Sequence, residues 1–245
     1  MGRDLAGFYD SAYARGGERH ARWRELGARA KADHVESLTR DAGLGSARVA
    51  EVGCGDGALL AELSARGFGG ALAGFEISDA ALELARARRI ARVERLEQFD
   101  GARLPAGDAE FDLGVLSHVL EHVPEPAHLL RETARVARAV IVEVPLERNL
   151  SARRFVSRQR SAEAGHLDAL DRDAVRTMVQ SAGLRIEAEL LDPLPREVHT
   201  FFADTPAARA RGLAKAALRR GVFALSESAA ERAFTLHYAA LCVPR

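Results

Sequence analysis

The sequence predicts an α/β fold with a seven-stranded, mostly parallel sheet, helices on both faces and an antiparallel last strand. Two observations predict it. Short apolar segments typical of strands alternate with segments of helical periodicity, which favours parallel pairing through right-handed crossovers. The strand segments are also almost continuously apolar, which is typical of a sheet that is buried on both faces.

Each element follows from its own pattern of apolar residues and terminating residues. Pro126 lies in the first turn of its helix, Gly67 follows the end of its helix, and Gly183 is the last residue of its own, as helix termini favour. The last two strands are separated by helical sequence rather than by a simple crossover, so that pair can be antiparallel. Strands are predicted at 48–52, 71–77, 93–99, 111–119, 139–145, 184–191 and 234–243. Helices are predicted at 20–42, 58–66, 80–91, 126–137, 171–183 and, as one or two helices, 206–232.

Length and composition indicate one domain with additions. The 245 residues divide into an N-terminal helical cap, 1–45, and a main domain, 46–245. Insertions at about 146–169, which is irregular in pattern, and at about 193–232, which includes the predicted Arg-rich helices, are expected to form a substrate lid. Two cysteines, Cys54 and Cys242, do not make a disulfide framework.

Charge and hydropathy exclude several classes of partner. Lys plus Arg number 35 and Asp plus Glu number 35, a balance that argues against nucleic acid and against an anionic membrane surface. The N-terminus has no apolar core of a signal peptide, and no apolar run reaches the roughly 18 residues of a membrane span. We therefore expect a cytoplasmic protein, monomeric or homodimeric, with a small-molecule partner.

A glycine-rich turn follows the first predicted strand. Its sequence, EVGCGDG at 51–57, places Gly53, Gly55 and Ala58 in the Gly-x-Gly-x-x-Gly/Ala pattern of Rossmann-like nucleotide-binding turns. Glu76 ends the second strand, 23 residues after Gly53, where a carboxylate can accept hydrogen bonds from both hydroxyls of a ribose. The pattern alone does not separate NAD from other adenosine ligands.

Further motifs, in a fixed order, discriminate between those ligands. They are FEIS at 75–78, DGARLP at 100–105, EFDLGVLSHVLEHVPEP at 110–126 and GHLDALDRDAVRTMVQSAGL at 165–184. Together with EVGCGDG, these motifs closely resemble class I S-adenosylmethionine-dependent methyltransferases of the small-molecule, "type 11" or ubiquinone-methyltransferase-like kind. The resemblance covers roughly 46–190. It implies S-adenosyl-L-methionine as cofactor and S-adenosyl-L-homocysteine as product.

The resemblance also implies roles for individual residues. Glu51, Gly53, Cys54 and Gly55 would lie at the methionine end of the cofactor. Glu76 would bind the ribose, and Ile77 would pack on the adenine. The complete set of expected cofactor-binding residues comprises Tyr9, Glu51, Gly53, Cys54, Gly55, Glu76, Ile77, Ser78, Asp100, Gly101, Ser117 and His118. Tyr9 and Tyr13 belong to a leading segment, FYDSAY at 8–13, that resembles one folded over the cofactor in this family.

Methyl transfer to a hydroxyl needs a group that takes up a proton, and histidines supply it most often. The candidates near the cofactor are His118, His122, His166 and His199, of which we predict the first three to be catalytic. A metal is not expected. As an alternative, His118, Glu121, His122 and His166 could hold a divalent ion, since the segment resembles the Glu-x-x-Glu-His element of RNA 3′-end methyltransferases.

The acceptor itself is not named by any motif. Five arginines at 148–160, namely Arg148, Arg153, Arg154, Arg158 and Arg160, follow the fifth strand and could hold an anionic acceptor or face solvent. A second basic run, Arg209, Arg211, Lys215, Arg219 and Arg220, is expected to be a solvated helix face.

The predicted function is methyl transfer from S-adenosylmethionine to an O or N atom, or less readily a C atom, of a small molecule. A non-catalytic protein that binds the cofactor, and a methyltransferase acting on a macromolecule, remain alternatives. An NAD-dependent oxidoreductase would explain the glycine-rich turn and Glu76 but not the motifs at 100–105 and 117–126.

Overall fold

The predicted sheet is confirmed in a computed structural model, which describes residues 4–245. Its seven strands lie in the order β3-β2-β1-β4-β5-β7-β6. Neighbours from β3 to β5 are parallel, while β7 runs antiparallel to both β5 and β6. The strands are β1 Arg48–Val52, β2 Ala71–Glu76, β3 Val93–Gln98, β4 Phe111–Ser117, β5 Ala137–Leu146, β6 Leu184–Asp192 and β7 Leu236–Pro244.

Ten α-helices surround the sheet in the described residues. The cap consists of α1 (Leu5–Arg15) and α2 (Gly17–Thr39); Met1–Arg3, which also belong to the predicted cap, lie outside the described residues. The other helices are α3 Ala58–Ala65, α4 Asp79–Ala87, α5 Pro126–Val136, α6 Phe155–Ala164, α7 Arg172–Ser181, α8 Arg196–Thr200, α9 Pro206–Leu225 and α10 Glu227–Ala233. Among the helices of residues 4–245, we find no candidate for a membrane span.

Two apolar layers cover the sheet, one on each face, as the continuous apolar strands predict. One layer includes Phe75, Leu116 and Val142, and the other includes Val49, Leu113 and Ile141, all almost fully buried. Chain order reverses between β1 and β4, which lie side by side although β2 and β3 intervene in sequence. Such a reversal opens a crevice at the carboxyl ends of the strands, where α/β sheets bind ligands.

The structure differs from the sequence prediction at two connections. The stretch 146–169 was expected to be irregular, but it contains α6. The fourth strand was expected to continue to 119, yet it ends at Ser117 because His118 adopts a left-handed backbone conformation with φ of 58°. A short 3-10 turn, Leu120–His122, follows and directs this segment into the crevice.

The second basic run is a solvated face only in part. Arg209, Arg211, Lys215 and Arg220 are exposed, but Arg219 is buried. Its guanidinium donates hydrogen bonds to the carbonyl oxygens of Pro193 and Thr235, which holds α9 against the chain segments on either side. Burial lowers the pKa of Arg219 to about 10.

A buried cluster of charged side chains joins the cap to the sheet. His34 of α2 places Nδ1 3.2 Å from Glu143 Oε1 on β5 and Nε2 3.3 Å from Asp192 Oδ2 at the end of β6. Burial alone would lower the pKa of His34, but the two carboxylates outweigh it and raise the pKa to about 9. The ring is therefore an imidazolium at neutral pH.

This imidazolium makes stability depend on pH in a predictable direction. The folded pKa of about 9 exceeds the ordinary value of about 6.5, so the stabilisation is complete below pH 6.5 and disappears as the pH rises through 9. We expect His34→Gln to lower the free energy of unfolding by on the order of 2–3 kcal/mol at pH 6 and by much less at pH 10.

Urea unfolding of both proteins at the two pH values measures this difference. His20→Gln is the matched control, since His20 is exposed on the same helix and its Nδ1 lies 2.6 Å from the carbonyl oxygen of Gly16 rather than beside a carboxylate. A His34→Gln defect of the same size at pH 6 and pH 10 would mean that packing, rather than charge, accounts for the effect.

Candidate active site

A cavity of about 960 Å³ lies at the carboxyl ends of the strands, where the sheet order reverses. This volume is at the upper end of the range for small-molecule sites. Three parts of the chain line it: the cap, the ends of the first four strands and the segment before α7. The lining residues that the sequence predicted are Tyr9, Gly53, Glu76, Ile77, Asp100, Gly101, His118, His122 and His166.

The glycine-rich turn forms because glycines occupy its left-handed positions. Gly53 and Gly55 have φ of 74° and 53°, which side-chain-bearing residues rarely adopt. A Cβ on Gly53 would come within 2.6 Å of Val119 Cγ2, and one on Gly55 would collide with the hydroxyl of Tyr13. The amides of Gly53 and Cys54 both donate to the carbonyl of Phe75, so the turn is fixed against the end of β2.

Glu76 lies where the sequence predicts, at the end of β2 and in the cavity wall. Its Oε2 accepts a hydrogen bond from the amide of Gly55 at 2.8 Å, and its Oε1 accepts from the amides of Ile77 and Ser78 at 2.8 and 3.0 Å. Burial raises the pKa of Glu76, although the three amides oppose that rise. Each carboxylate oxygen can accept more than one hydrogen bond, so capacity for ribose hydroxyls remains.

Asp100 and Gly101 form the neighbouring part of the wall. Asp100 Oδ1 accepts hydrogen bonds from the amides of Ala102 and Arg103 at 2.8 and 2.7 Å, which lower its pKa and shape the turn. Gly101 has φ of 82°, and the space beside its Cα is occupied by Ile77 Cδ1. The side chain of Ile77 therefore packs directly against this turn in the cavity wall.

The cap covers the cavity with aromatic and charged side chains. The Tyr9 ring makes an edge contact with the His122 ring, with centroids 5.8 Å apart. Tyr13 lies over the glycine-rich turn, and the Arg24 guanidinium lies over its ring at 4.9 Å. Arg24 also pairs with the buried Asp56 at 2.9 Å. Sequence reasoning missed Arg24 and Trp23, which also lines the cavity, because their helix carries no motif.

Five predicted cofactor-binding residues are not in the cavity wall: Glu51, Cys54, Gly55, Ser78 and Ser117. Glu51 is buried beneath the turn, and burial raises its pKa to about 8. Ser78 donates to Asp10 Oδ1 at 2.7 Å and caps α4, and Ser117 donates to Glu143 Oε2 at 3.0 Å. Contact of these residues with the cofactor stays a prediction.

Histidines and carboxylates gather at the other end of the cavity. His118 Nδ1 and His122 Nε2 lie 3.2 and 3.8 Å from Glu121 Oε1. The rings of His122 and His166 meet edge to face, with centroids 4.8 Å apart. Burial lowers the pKa of His122, so its ring is neutral at neutral pH. The structure thus brings together all three histidines predicted to be catalytic.

A buried carboxylate that sequence reasoning missed supports His118 from behind. Glu143 Oε1 lies 3.6 Å from His118 Nε2 and 3.3 Å from His237 Nδ1, in addition to its contact with His34. Burial alone would raise the pKa of Glu143, but these histidines hold it well below its usual value. The signal that could have found it is a lone acid inside the apolar run AVIVEVP of β5.

Two other predicted groups lie away from the cavity. His199, on α8, does not line it, and burial lowers the pKa of His199 to about 4. In the arginine run, Arg148 pairs with Asp171 at 3.2 Å, and Arg153 and Arg154 are exposed outside the cavity wall. The side chains of Arg158 and Arg160 lie outside the described residues. The described arginines of this run therefore do not supply a cationic wall.

Sequence comparison identifies the domain. A family model described as "Methyltransferase domain" matches residues 16–189, which is more than half of the chain. A ubiquinone biosynthesis O-methyltransferase from Aromatoleum aromaticum is 31% identical over 109 residues, which cover 42% of this chain and 45% of that relative. The chain therefore matches less than half the length of this curated relative.

Structural comparison shows the same fold in solved methyltransferases. Geranyl diphosphate C-methyltransferase from Streptomyces coelicolor A3(2) superposes with a TM-score of 0.62 at 14% identity, covering 88% of this chain and 77% of that one. Magnesium protoporphyrin IX methyltransferase from Synechocystis PCC 6803, solved with bound SAH, superposes with a TM-score of 0.56 at 16% identity, covering 90% and 84%.

The fold, the glycine-rich turn with its acidic partners and the family match agree with one another. They also agree with the S-adenosylmethionine cofactor that the resemblance implied. The chain belongs to the methyltransferase-domain family.

Proposed function

We propose that this enzyme transfers a methyl group from S-adenosylmethionine to a hydroxyl oxygen of a small molecule. The observation that carries the proposal is the composition of this cavity. One end has Glu76, Ile77 and Asp100 for an adenosine, and the other end has a cluster of imidazoles. A volume of about 960 Å³ suits a cofactor together with a small acceptor.

The cofactor end would bind and orient the donor. Glu76 would accept hydrogen bonds from the ribose hydroxyls, and Ile77 would pack on the adenine. Asp100 and Gly101 would form hydrogen bonds with the polar edge of the adenine. The methionine part would extend over Gly53 toward His118. A neutral thioether leaves the sulfonium, so the protein mainly has to hold acceptor and methyl group in line.

The histidine end would handle the acceptor's proton. An oxygen nucleophile loses a proton as it attacks, and an imidazole can receive it. His118, His122 and His166 all line this end of the cavity. Transfer to oxygen is supported by the name of the partial relatives, O-methyltransferases of ubiquinone biosynthesis. The match covers less than half of the length of those relatives, so the proposal does not extend to their acceptor molecules.

The first test concerns the cofactor end. Glu76→Ala would orphan three backbone amides, so Glu76→Gln is the milder substitution. We expect it to weaken S-adenosylhomocysteine binding by about 10- to 100-fold, measured by isothermal titration, because the neutral amide is a poorer acceptor for two hydroxyls. Glu83→Gln, on an exposed face of α4, is the control and should bind like the wild type. If the wild type and both variants bound S-adenosylhomocysteine with equal affinity, Glu76 would not be a cofactor-binding residue.

The second test concerns the histidine end. A panel of phenols and other small hydroxyl compounds is incubated with methyl-labelled cofactor, and kcat is measured on the best acceptor. We expect His118→Gln to reduce kcat by about 10²- to 10⁴-fold while cofactor affinity changes little, since general acid–base groups contribute that much. His199→Gln, outside the cavity, should retain the wild-type rate.

Two outcomes of this assay would contradict the proposal. Cofactor binding without turnover on any acceptor would favour the non-catalytic alternative. Retained kcat in His118→Gln, His122→Gln and His166→Gln alike would show that the imidazoles do not take part in proton transfer.

A further inference from the structure

Trp23 is the only tryptophan of the chain, and it lies on α2 with its side chain in the cavity wall. Its ring contacts two phenylalanines that lie outside that wall. These are Phe201 and Phe202, whose ring centroids are 5.2 and 5.1 Å from that of Trp23. The two phenylalanine rings, here called the phenylalanine pair, meet each other edge to face at 4.9 Å. Trp23 therefore connects the cavity with this pair.

The phenylalanine pair is itself held in place from two sides. The Arg19 guanidinium of α2 lies 5.0 Å from the centre of the Phe202 ring and donates a hydrogen bond to Asp204 at 2.6 Å. The pair directly follows α8, and α8 packs closely on α9. A Cβ on Gly212 of α9 would come within 2.4 Å of the carbonyl oxygen of His199 on α8. Contacts from α2 and α9 therefore fix the pair, and the pair limits the movement of the Trp23 ring.

Trp23 lies on the side of the cavity away from the adenosine end. The strand order places β2 and β3 at one edge of the sheet and β6 at the other. Glu76 ends β2 and Asp100 follows β3, whereas the phenylalanine pair that contacts Trp23 follows β6. The Trp23 ring is therefore placed to contact an acceptor rather than the adenosine.

A tryptophan ring in such a position offers a flat surface to a ligand. Aromatic rings prefer offset or edge-to-face contacts with one another, and these contribute affinity beyond that of the buried area alone. A ring that is already fixed also loses little conformational freedom when a ligand binds. The Tyr13 ring of the cap, by comparison, is covered by the Arg24 guanidinium. Among these two cap rings, Trp23 is thus the better surface for stacking.

We propose that Trp23 determines acceptor specificity by stacking on a flat, unsaturated ring of the acceptor, and that the phenylalanine pair holds the Trp23 ring in place for this contact. The inference rests on the proposed function for the reaction and adds a specificity-determining residue to it. No described residue of 193–232, which was expected to form part of the lid, lines the cavity. That segment would therefore act on the acceptor through Trp23.

Trp23 supplies the signal for a direct binding test, because a single tryptophan gives the fluorescence of the chain at wavelengths that tyrosine and simple phenols do not absorb. The full chain is saturated with S-adenosylhomocysteine and titrated with p-cresol or with its saturated counterpart, 4-methylcyclohexanol. We expect p-cresol to quench the fluorescence saturably. We also expect it to bind about 3- to 10-fold more tightly than 4-methylcyclohexanol in isothermal titration, which is the range that stacking contributes.

Substitutions separate contact with the acceptor from a purely structural role. We expect Trp23→Leu to abolish the preference for p-cresol and to change the affinity for S-adenosylhomocysteine little. Trp23→Phe keeps a ring and should retain most of the preference, and Phe201→Leu should reduce it because the Trp23 ring is held less firmly. Phe234→Leu is the matched control, since Phe234 is a half-buried ring outside the cavity that contacts Arg219. It should behave like the wild type.

Two results would overturn the proposal. One is an equal loss of affinity for both probes in Trp23→Leu, which would leave the ring with a packing role only. The other is the absence of saturable quenching by p-cresol in the wild type. Circular dichroism establishes that each variant is folded, and if Trp23→Leu is not, the wild-type titration and Trp23→Phe decide the question.

Methyl transfer to both probes, measured on the same proteins, separates this proposal from the proposed function. Turnover with a preference for p-cresol that Trp23→Leu leaves unchanged would overturn only the role of Trp23. Saturable quenching together with a lost preference in Trp23→Leu, but no methyl transfer to any hydroxyl compound, would contradict only the proposed function.

Discussion

The buried carboxylate of Glu143 is the interaction on which the arrangement of this site depends. It lies near the carboxyl end of β5 and contacts histidines from α2, from the residue after β4 and from β7. A charge in so apolar a position is tolerable only when it is paired and hydrogen-bonded. The pairing holds the cap helix, the end of β4 and the antiparallel strand together around the wall of the cavity, and it positions His118 there.

A second constraint comes from the backbone at the cofactor end. The turn after β1 requires left-handed conformations at Gly53 and Gly55, and the tight approach of Val119 and Tyr13 leaves no room for side chains. In the same turn, the amide of Gly55 donates a hydrogen bond to Glu76. The turn therefore also fixes the carboxylate that is expected to bind the ribose. The two ends of the cavity thus depend on different interactions. The cofactor end depends on the backbone geometry of the glycine-rich turn, and the histidine end depends on the buried charge of Glu143.

The sequence was sufficient for features that depend on local patterns. Apolar strands such as β4 and β5, the Pro126 helix start and the Gly53–Gly55 turn are encoded within a few residues, and all are confirmed. The Glu143 cluster was not foreseeable in the same way, because His34, Asp192 and His237 are brought to it from distant parts of the chain by the sheet order. The burial of Arg219 was missed for a related reason, since helical spacing does not show which face packs. The end of β4 at Ser117 depends on the left-handed His118, a conformation that no propensity predicts for histidine.

We propose that one cavity holds the cofactor at Glu76 and presents its sulfur to the histidine end. The decisive measurement is a crystal structure with S-adenosylhomocysteine bound. We expect ribose hydroxyls on the Glu76 carboxylate and the sulfur beside His118, with open space between the sulfur and His122. Adenosine bound outside this cavity, or a sulfur directed away from the histidines, would contradict it.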